Sequence, residues 1–300
     1  YKQLMNQLSK QLHNGYRSAL PDNAISYSGG RGGKTRFVLI NPKQLAGLVS
    51  EDANRSVKSE LKKMNTLADG IMKDKKSYTV TFNNGKNQAF QNNYFSTGPY
   101  WWPNPDTDNG LPYVRKDGQV NPERDRVSDR GEIQSFVKAI EALALTYHAT
   151  QKEHYAEYAV ELLECWFLND VTRMSPNMVN AQAIPGLQSG RGTGIIDSHE
   201  FVYLVDYITL LKKSPHWKVS HEEGIQAWFS EFLDWLLTHP YGKEESSSVN
   251  NHGTSFDMQV IAIASYLQKH DWVSQRIRSH TIPRIDSQIS ISGEQPLETA

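Results

Sequence analysis

Gly131-Glu132-Ile133-Gln134-Ser135-Phe136-Val137-Lys138-Ala139-Ile140-Glu141-Ala142-Leu143-Ala144-Leu145-Thr146-Tyr147 spaces Ile133, Val137, Ile140, Ala144 and Tyr147 at alternating steps of four and three. That period lines one face of an α-helix and is incompatible with the two-residue alternation of a strand. The pattern returns downstream in Tyr155, Tyr158, Leu162 and Trp166, and again in Phe201, Leu204, Val205, Ile208 and Leu211. Ile225, Phe229, Phe232 and Leu236 make a further face, and Phe256, Val260, Ile263 and Leu267 the next. Helices of about 15 to 20 residues joined by long connections predict an all-α protein. Two layers of antiparallel helices then close into an (α/α)n toroid or incomplete helical barrel, with long loops shaping a groove at one end. A plain helical solenoid is the competing architecture, although no internal repeat supports it.

Residues 1–127 are richer in loops, and with the helical part 128–300 they are read as one domain spanning 1–300. The run Ser28-Gly29-Gly30-Arg31-Gly32-Gly33 lacks the Lys-Ser/Thr pair of a phosphate loop and is read as a flexible turn. It precedes a short apolar, strand-like piece, Phe37-Val38-Leu39-Ile40. Glu51 to Lys73 is expected to be an amphipathic helix, Ser77 to Phe82 a strand, and Asn83-Asn84-Gly85 a hairpin-type turn.

Composition removes several classes of function. With 32 Lys+Arg against 33 Asp+Glu the net charge is −1, without the basic excess of a nucleic-acid binder. No apolar run approaches the ~18 residues of a membrane span. The single cysteine, Cys165, excludes an internal disulfide and is read as a small buried hydrophobe. A start at Tyr1 without a charged-then-apolar leader reads as a processed or trimmed product.

Three stretches carry chemistry. Asn250-Asn251-His252-Gly253-Thr254-Ser255-Phe256-Asp257 sets two amides and an imidazole where the polar loop Lys243 to Val249 gives way to a helix. One Asn suffices to cap that helix, whereas an amide beside an imidazole can also hold a carboxylate and move a proton. Tyr94-Phe95-Ser96-Thr97-Gly98-Pro99-Tyr100-Trp101-Trp102-Pro103-Asn104-Pro105-Asp106 is a Pro-stiffened aromatic loop, with a lid-like place in the chain. Tyr100, Trp101 and Trp102 are candidate stacking surfaces for sugar rings, and in an extended backbone the two tryptophans point opposite ways. In the third stretch, Asn180, Gln182 and Arg191 offer donors to hydroxyls and carboxylates, and the glycines around Arg191 admit a close ligand. Asp197 or Ser198 is expected to cap the Phe201 helix, and His199 to be either a wall of the site or a packed surface residue. No second His or Cys lies at ligand spacing beside His252, so no metal is expected there.

Tyr100-Trp101-Trp102-Pro103, Asn180-Ala181-Gln182-Ala183-Ile184-Pro185-Gly186, Arg191-Gly192-Thr193-Gly194-Ile195-Ile196-Asp197 and Asn250-Asn251-His252 together resemble the alginate lyase superfamily of helical-toroid polysaccharide lyases. Polysaccharide lyase families 5 and 38 are the nearest in pattern, and the Trp-Trp-Pro loop favours family 38. The resemblance implies β-elimination on a uronic-acid polymer, alginate or polymannuronate and in some members glucuronan, with no metal or other cofactor. It implies Asn251 as neutraliser of the substrate carboxylate and His252 as neutraliser or general base. Tyr100, Trp101, Trp102, Asn180, Gln182, Arg191 and His199 would bind substrate. A periplasmic or secreted bacterial monomer would be expected, with an anionic polysaccharide as partner and neither nucleic acid nor membrane. The family's catalytic Arg and Tyr follow a Gln-Pro-Leu-Glu segment, which here is Gln295-Pro296-Leu297-Glu298 shortly before Ala300, so both are expected just beyond residue 300. Two alternatives stay open: a glycoside hydrolase on a similar toroid, using carboxylates among Asp197, Glu200 and Asp257, and a non-catalytic glycan-binding protein.

Overall fold

The structure, a computed structural model, describes residues 37–49, 55–82, 91–125 and 129–299. Helices form where the period predicts them. Short α1 (Pro42–Leu48) and long α2 (Arg55–Asp74) precede α3 (Arg130–Thr150), which buries all five of its predicted face residues. Helix α4 (Glu153–Leu163) widens into a π-type turn over Glu164–Leu168, which turns the consecutive aromatics Trp166 and Phe167 both into the core.

Helix α5 (Phe201–Leu211) is apolar nearly all round and lies at the centre, packed between α3 and the later helix α8 (Asn251–Tyr266). Between these come α6 (Val219–Thr238) and α7 (Pro240–Ser247). The chain continues through α9 (His270–Arg276), a π-type turn over Ile277–Thr281, α10 (Ile282–Gln288) and α11 (Pro296–Thr299).

Aromatic rings join the two layers. Phe136 of α3 stacks on Trp166 with centroids 4.5 Å apart, and Phe167 meets Trp228 of α6 edge-on at 4.7 Å. Phe201 places its ring edge-to-face against Trp228, Phe229 and Phe232 at 5.6, 5.9 and 5.8 Å. Each such ring contributes about 1.5–3 kcal/mol through burial, plus a smaller geometric preference.

Among the described residues, sheet consists of two small ladders built from the long connections. Strand β1 (Phe95–Thr97) runs parallel to β4 (Asn180–Ala183), and β2 (Trp101–Trp102) pairs antiparallel with β3 (Val114–Arg115). The strand expected over Ser77 to Phe82 does not form. Residues 75–79 adopt no regular structure and the chain closes in a 3-10 turn over Val80–Phe82, since no strand among the described residues pairs with it to supply ladder hydrogen bonds. Phe37–Ile40 is likewise not a strand. Its backbone N–H groups at Val38, Leu39 and Ile40 all donate to the buried Asp206 carboxylate of α5, at 2.6–2.7 Å. The glycine run Ser28 to Gly33 and the turn Asn83-Asn84-Gly85 lie outside the described residues.

Cys165 is half-buried in the π-type turn, its thiol donating towards the Tyr78 carbonyl at 3.4 Å. Replacing Phe201 by Ala should remove about 3–5 kcal/mol of stability, because its ring contacts with Phe167, Trp228, Phe229 and Phe232 vanish at a site closed on every side. A urea titration should show the midpoint falling with its slope unchanged; a shift worth under about 1 kcal/mol would mean that the aromatic junction is not what joins the layers.

Candidate active site

At the mouth of α8 the two asparagines divide the work. Asn250 is the cap, its side-chain oxygen accepting the His252 N–H at 3.2 Å. Asn251 is left exposed on the first turn, and His252 beside it is half-buried. The preceding segment is not the polar loop its composition suggests. Pro240 opens helix α7, which runs to Ser247 and delivers Glu245 into the interior, 1% exposed. Glu245 accepts a hydrogen bond from His252 Nδ1 at 2.7 Å. That bond raises the imidazole above its usual pKa, against the opposing effects of burial and of the nearby Arg191 cation. With Nδ1 engaged, Nε2 is the ring nitrogen left to meet a ligand.

The backbone leading to this turn is clamped from behind. Asp257, one helical turn further along α8 and 1% exposed, accepts from Arg276 Nε and Nη2 at 2.9 and 2.6 Å and from Arg284 Nε at 3.0 Å. The same two guanidinium groups reach back to the hydroxyl of Ser246 and to the carbonyls of Ser246 and Ser248. Gln288 adds bonds to the carbonyls of Val249 and Asn250 at 2.8 and 2.7 Å. Gly253 is required here: a β-carbon would collide with the Arg284 guanidinium and the Ser248 carbonyl.

A second network fixes Arg191. Its Nε and Nη2 donate to the carbonyl and side-chain oxygen of Gln182 at 3.2 and 2.7 Å. Gln182 in turn donates through Nε2 to Asp197, which also accepts from Tyr94 and Ser96. Gln182 holds a left-handed backbone, φ +49°, at a cost on the order of 1 kcal/mol for a non-glycine residue. Its own N–H is satisfied by the Ser96 hydroxyl at 2.8 Å. Burial pushes the Arg191 pKa down, Arg115 adds to that, and Asp197, Glu244 and Glu245 oppose it.

The aromatic loop contributes one tryptophan to this wall and one to its back. Trp101 stands directly opposite Arg115 in the β2–β3 ladder, while Trp102 pairs with Val114, carries the Lys116 ammonium 5.2 Å above its ring, and donates to the Gln119 carbonyl. Tyr100, on the turn before β2, is exposed. Tyr241 of α7 is held by donation to the Gly190 carbonyl at 2.9 Å.

Glu245 thus bonds His252 and acts electrostatically on Arg191, which Gln182 in turn holds. Asn180 is turned to a separate task, accepting from Asn93 and donating to the Ser189 carbonyl. His199 bonds the Ile196 carbonyl at 2.8 Å and lies 3.4 Å from Glu200. Neither Asp197 nor Ser198 caps α5. A 3-10 turn over Gly192–Ser198 leads into that helix with Glu200 at the cap position, while Asp197 serves Gln182 and Ser198 bonds Ile195 and Gln259. Gly190, Gly192 and Gly194 admit the protein's own chain rather than a ligand, lying against the carbonyls of Val179, Tyr241 and Ala181.

Arg173 is exposed beside Asp170, Arg124 pairs with Asp125, and Arg126 lies outside the described residues. The carboxylates of the hydrolase alternative do not form an acid–base pair: Asp257 and Asp197 are consumed in separate buried networks. Glu245, Arg276 and Arg284 were not legible as site residues. The one available signal was Pro240, a helix-opening residue just ahead of the supposed loop.

A family model described as alginate lyase matches residues 83–300. The fold is similar to the crystal structure of an alginate lyase from Bacteroides ovatus, with a TM-score of 0.81 and 35% sequence identity over 86% of this chain and 68% of that one. The likeness makes the all-α arrangement a toroid of the same kind. No curated protein matches the chain significantly.

Two outcomes follow from the buried charges. Changing Glu245 to Gln should lower the His252 pKa, read by NMR titration of its ring protons. The Glu245 contribution to stability is present in full below the ordinary histidine value of about 6.5 and fades as pH rises through the raised one, so the deficit of the variant should be greatest on the acid side. An unaltered titration would show that Glu245 does not govern the imidazole. Changing Asp257 to Ala should cost about 3–5 kcal/mol in denaturant unfolding, because two guanidinium groups lose their buried counter-charge; a loss below about 1 kcal/mol would rule out the clamp.

Proposed function

Because this chain belongs to the alginate lyase family and is a polysaccharide lyase, we propose that it cleaves a uronic-acid polymer, alginate or polymannuronate with glucuronan as the alternative, by β-elimination. The observation that carries this reading is the group at the mouth of α8: an exposed Asn251 amide beside a His252 that Glu245 favours in its protonated form.

The chemistry asks for such a group. The proton at C5 of a uronate is α to a carboxylate, and its removal places a second negative charge beside the first. Donors already in place must therefore neutralise the carboxylate before the barrier becomes accessible. Asn251 supplies an amide N–H and His252 an imidazolium N–H to the two carboxylate oxygens, aided by the positive end of α8. A separate base then takes the C5 proton, the released electron pair forms the C4=C5 double bond, and the bond from C4 to the glycosidic oxygen breaks. That oxygen takes a proton from a general acid, either the base that has just received the C5 proton or a second group, and leaves as a new hydroxyl group. The raised pKa favours His252 as neutraliser over general base, since a base must start unprotonated.

Trp101 faces the same wall and is assigned to stacking on a sugar ring; Gln182, 7% exposed and bonded at both ends of its amide, holds Arg191 in place rather than meeting the sugar itself. A polymeric substrate is met outside the cytoplasmic membrane, which fits a periplasmic or secreted enzyme, and no described helix is long and apolar enough to cross a membrane.

Incubation with polymannuronate should raise the ultraviolet absorbance of a C4=C5 double bond conjugated with a carboxylate, and a neutral glucan should yield none. Asn251→Ala and His252→Ala should each lower turnover by about 10² or more, the Asn251 variant with an unchanged melting profile and the His252 variant with the loss of stability that an unpaired, buried Glu245 entails. Near-normal turnover in both variants would remove the site assignment.

A further inference from the structure

Resting on the uronate reading above, we propose that Arg115 and Arg191, flanking Trp101, form a second carboxylate subsite. It takes the uronate residue next to the one whose C5 proton is removed.

The ladder geometry selects Arg115 from the basic residues of this loop. Trp101 and Arg115 are direct cross-strand partners, so their side chains leave the same face of the β2–β3 ribbon, whereas Lys116 lies with Trp102 on the other. Gly98 ties that face to Arg191. A β-carbon on Gly98 would fall 2.6 Å from Trp101 Cδ1 and 3.1 Å from Arg191 Nη2, so indole and guanidinium meet at one bare α-carbon. Arg191 spends Nε and Nη2 on Gln182, and its Nη1 has no hydrogen-bond partner among the described residues.

Among the described residues Arg115 pairs with Asp117 alone, at 2.9 Å, and both side chains are well exposed, 61% and 74%. Such a pair contributes little to stability and can exchange for a ligand. Two cations therefore share one wall with an aromatic ring, and their mutual repulsion is felt at Arg191. A ligand that presents an apolar sugar face to the indole and a planar carboxylate to the guanidinium groups relieves that repulsion. A neutral sugar does not. The Arg191 segment packs on α7, where Tyr241 donates to the Gly190 carbonyl and Gly192 lies against Glu244, and the next residue of α7, Glu245, bonds His252; the subsite is therefore contiguous with the Asn251–His252 turn rather than a separate pocket.

The test measures steady-state cleavage of polymannuronate by the intact protein, Arg115→Gln and Arg115→Lys over a range of sodium chloride concentrations. Loss of one charge-assisted contact should raise KM about ten-fold at low salt, leave kcat within about two-fold, and flatten the rise of KM with salt. Arg115→Lys should fall between the two, since it keeps the charge but not the planar fork. In a His252→Ala background, where cleavage is slow, calorimetric titration with a saturated mannuronate oligomer should show the same loss of affinity on adding Arg115→Gln. An Arg115→Gln variant with unchanged KM, salt dependence and oligomer affinity overturns the subsite while leaving the lyase reading intact. An intact protein that yields no unsaturated product from any uronate polymer overturns that reading, and the subsite with it.

Discussion

One buried carboxylate organises the working end of this molecule. Asp257 draws Arg276 and Arg284 into the interior, and those side chains in turn hold the carbonyls that lead into α8. Without that counter-charge neither guanidinium could remain buried, and the backbone from Ser246 to Asn250 would lose its anchors. The turn that presents Asn251 and His252 is thus rigid because charges far along the chain are neutralised behind it. The aromatic junction of Phe136, Trp166, Phe201 and Trp228 does the complementary work of holding the helix layers to one another.

The site wall shows the same logic in polar form. Arg191 is aimed by Gln182, Gln182 by Asp197 and Ser96, and Asp197 is buried among its donors. The left-handed conformation of Gln182 would not persist in a free loop; here its N–H, carbonyl and amide are all bonded to fixed partners. The residue that positions the cation is thus one of those that carry backbone strain. On the opposite side Glu245 raises the His252 pKa from a second buried position. Carboxylates that might have been read as acid–base catalysts instead hold cations or their supports in place, which suits the anionic substrate proposed above. A net charge of −1 conceals this arrangement because the acidic groups lie behind the cations.

Amino-acid order alone determined the helical layers. Ile133, Val137, Ile140, Ala144 and Tyr147 had to share a face, and each of them is buried, because a helix in water cannot leave such a stripe exposed. It also determined that Asn250-Asn251-His252 opens a helix and that Trp101 and Trp102 leave their strand on opposite sides, since both follow from local geometry. Tertiary structure decided the rest. The parallel pairing of Phe95–Thr97 with Asn180–Ala183 joins segments far apart in sequence, and nothing local to either marks it. Which asparagine caps, which carboxylate meets His252, and whether Asp197 caps a helix or holds Gln182 depend on what lies opposite each side chain. Periodicity reports how a chain meets its own next turn; a buried charge chooses its partner only once packing has excluded water and left it one way to be neutralised.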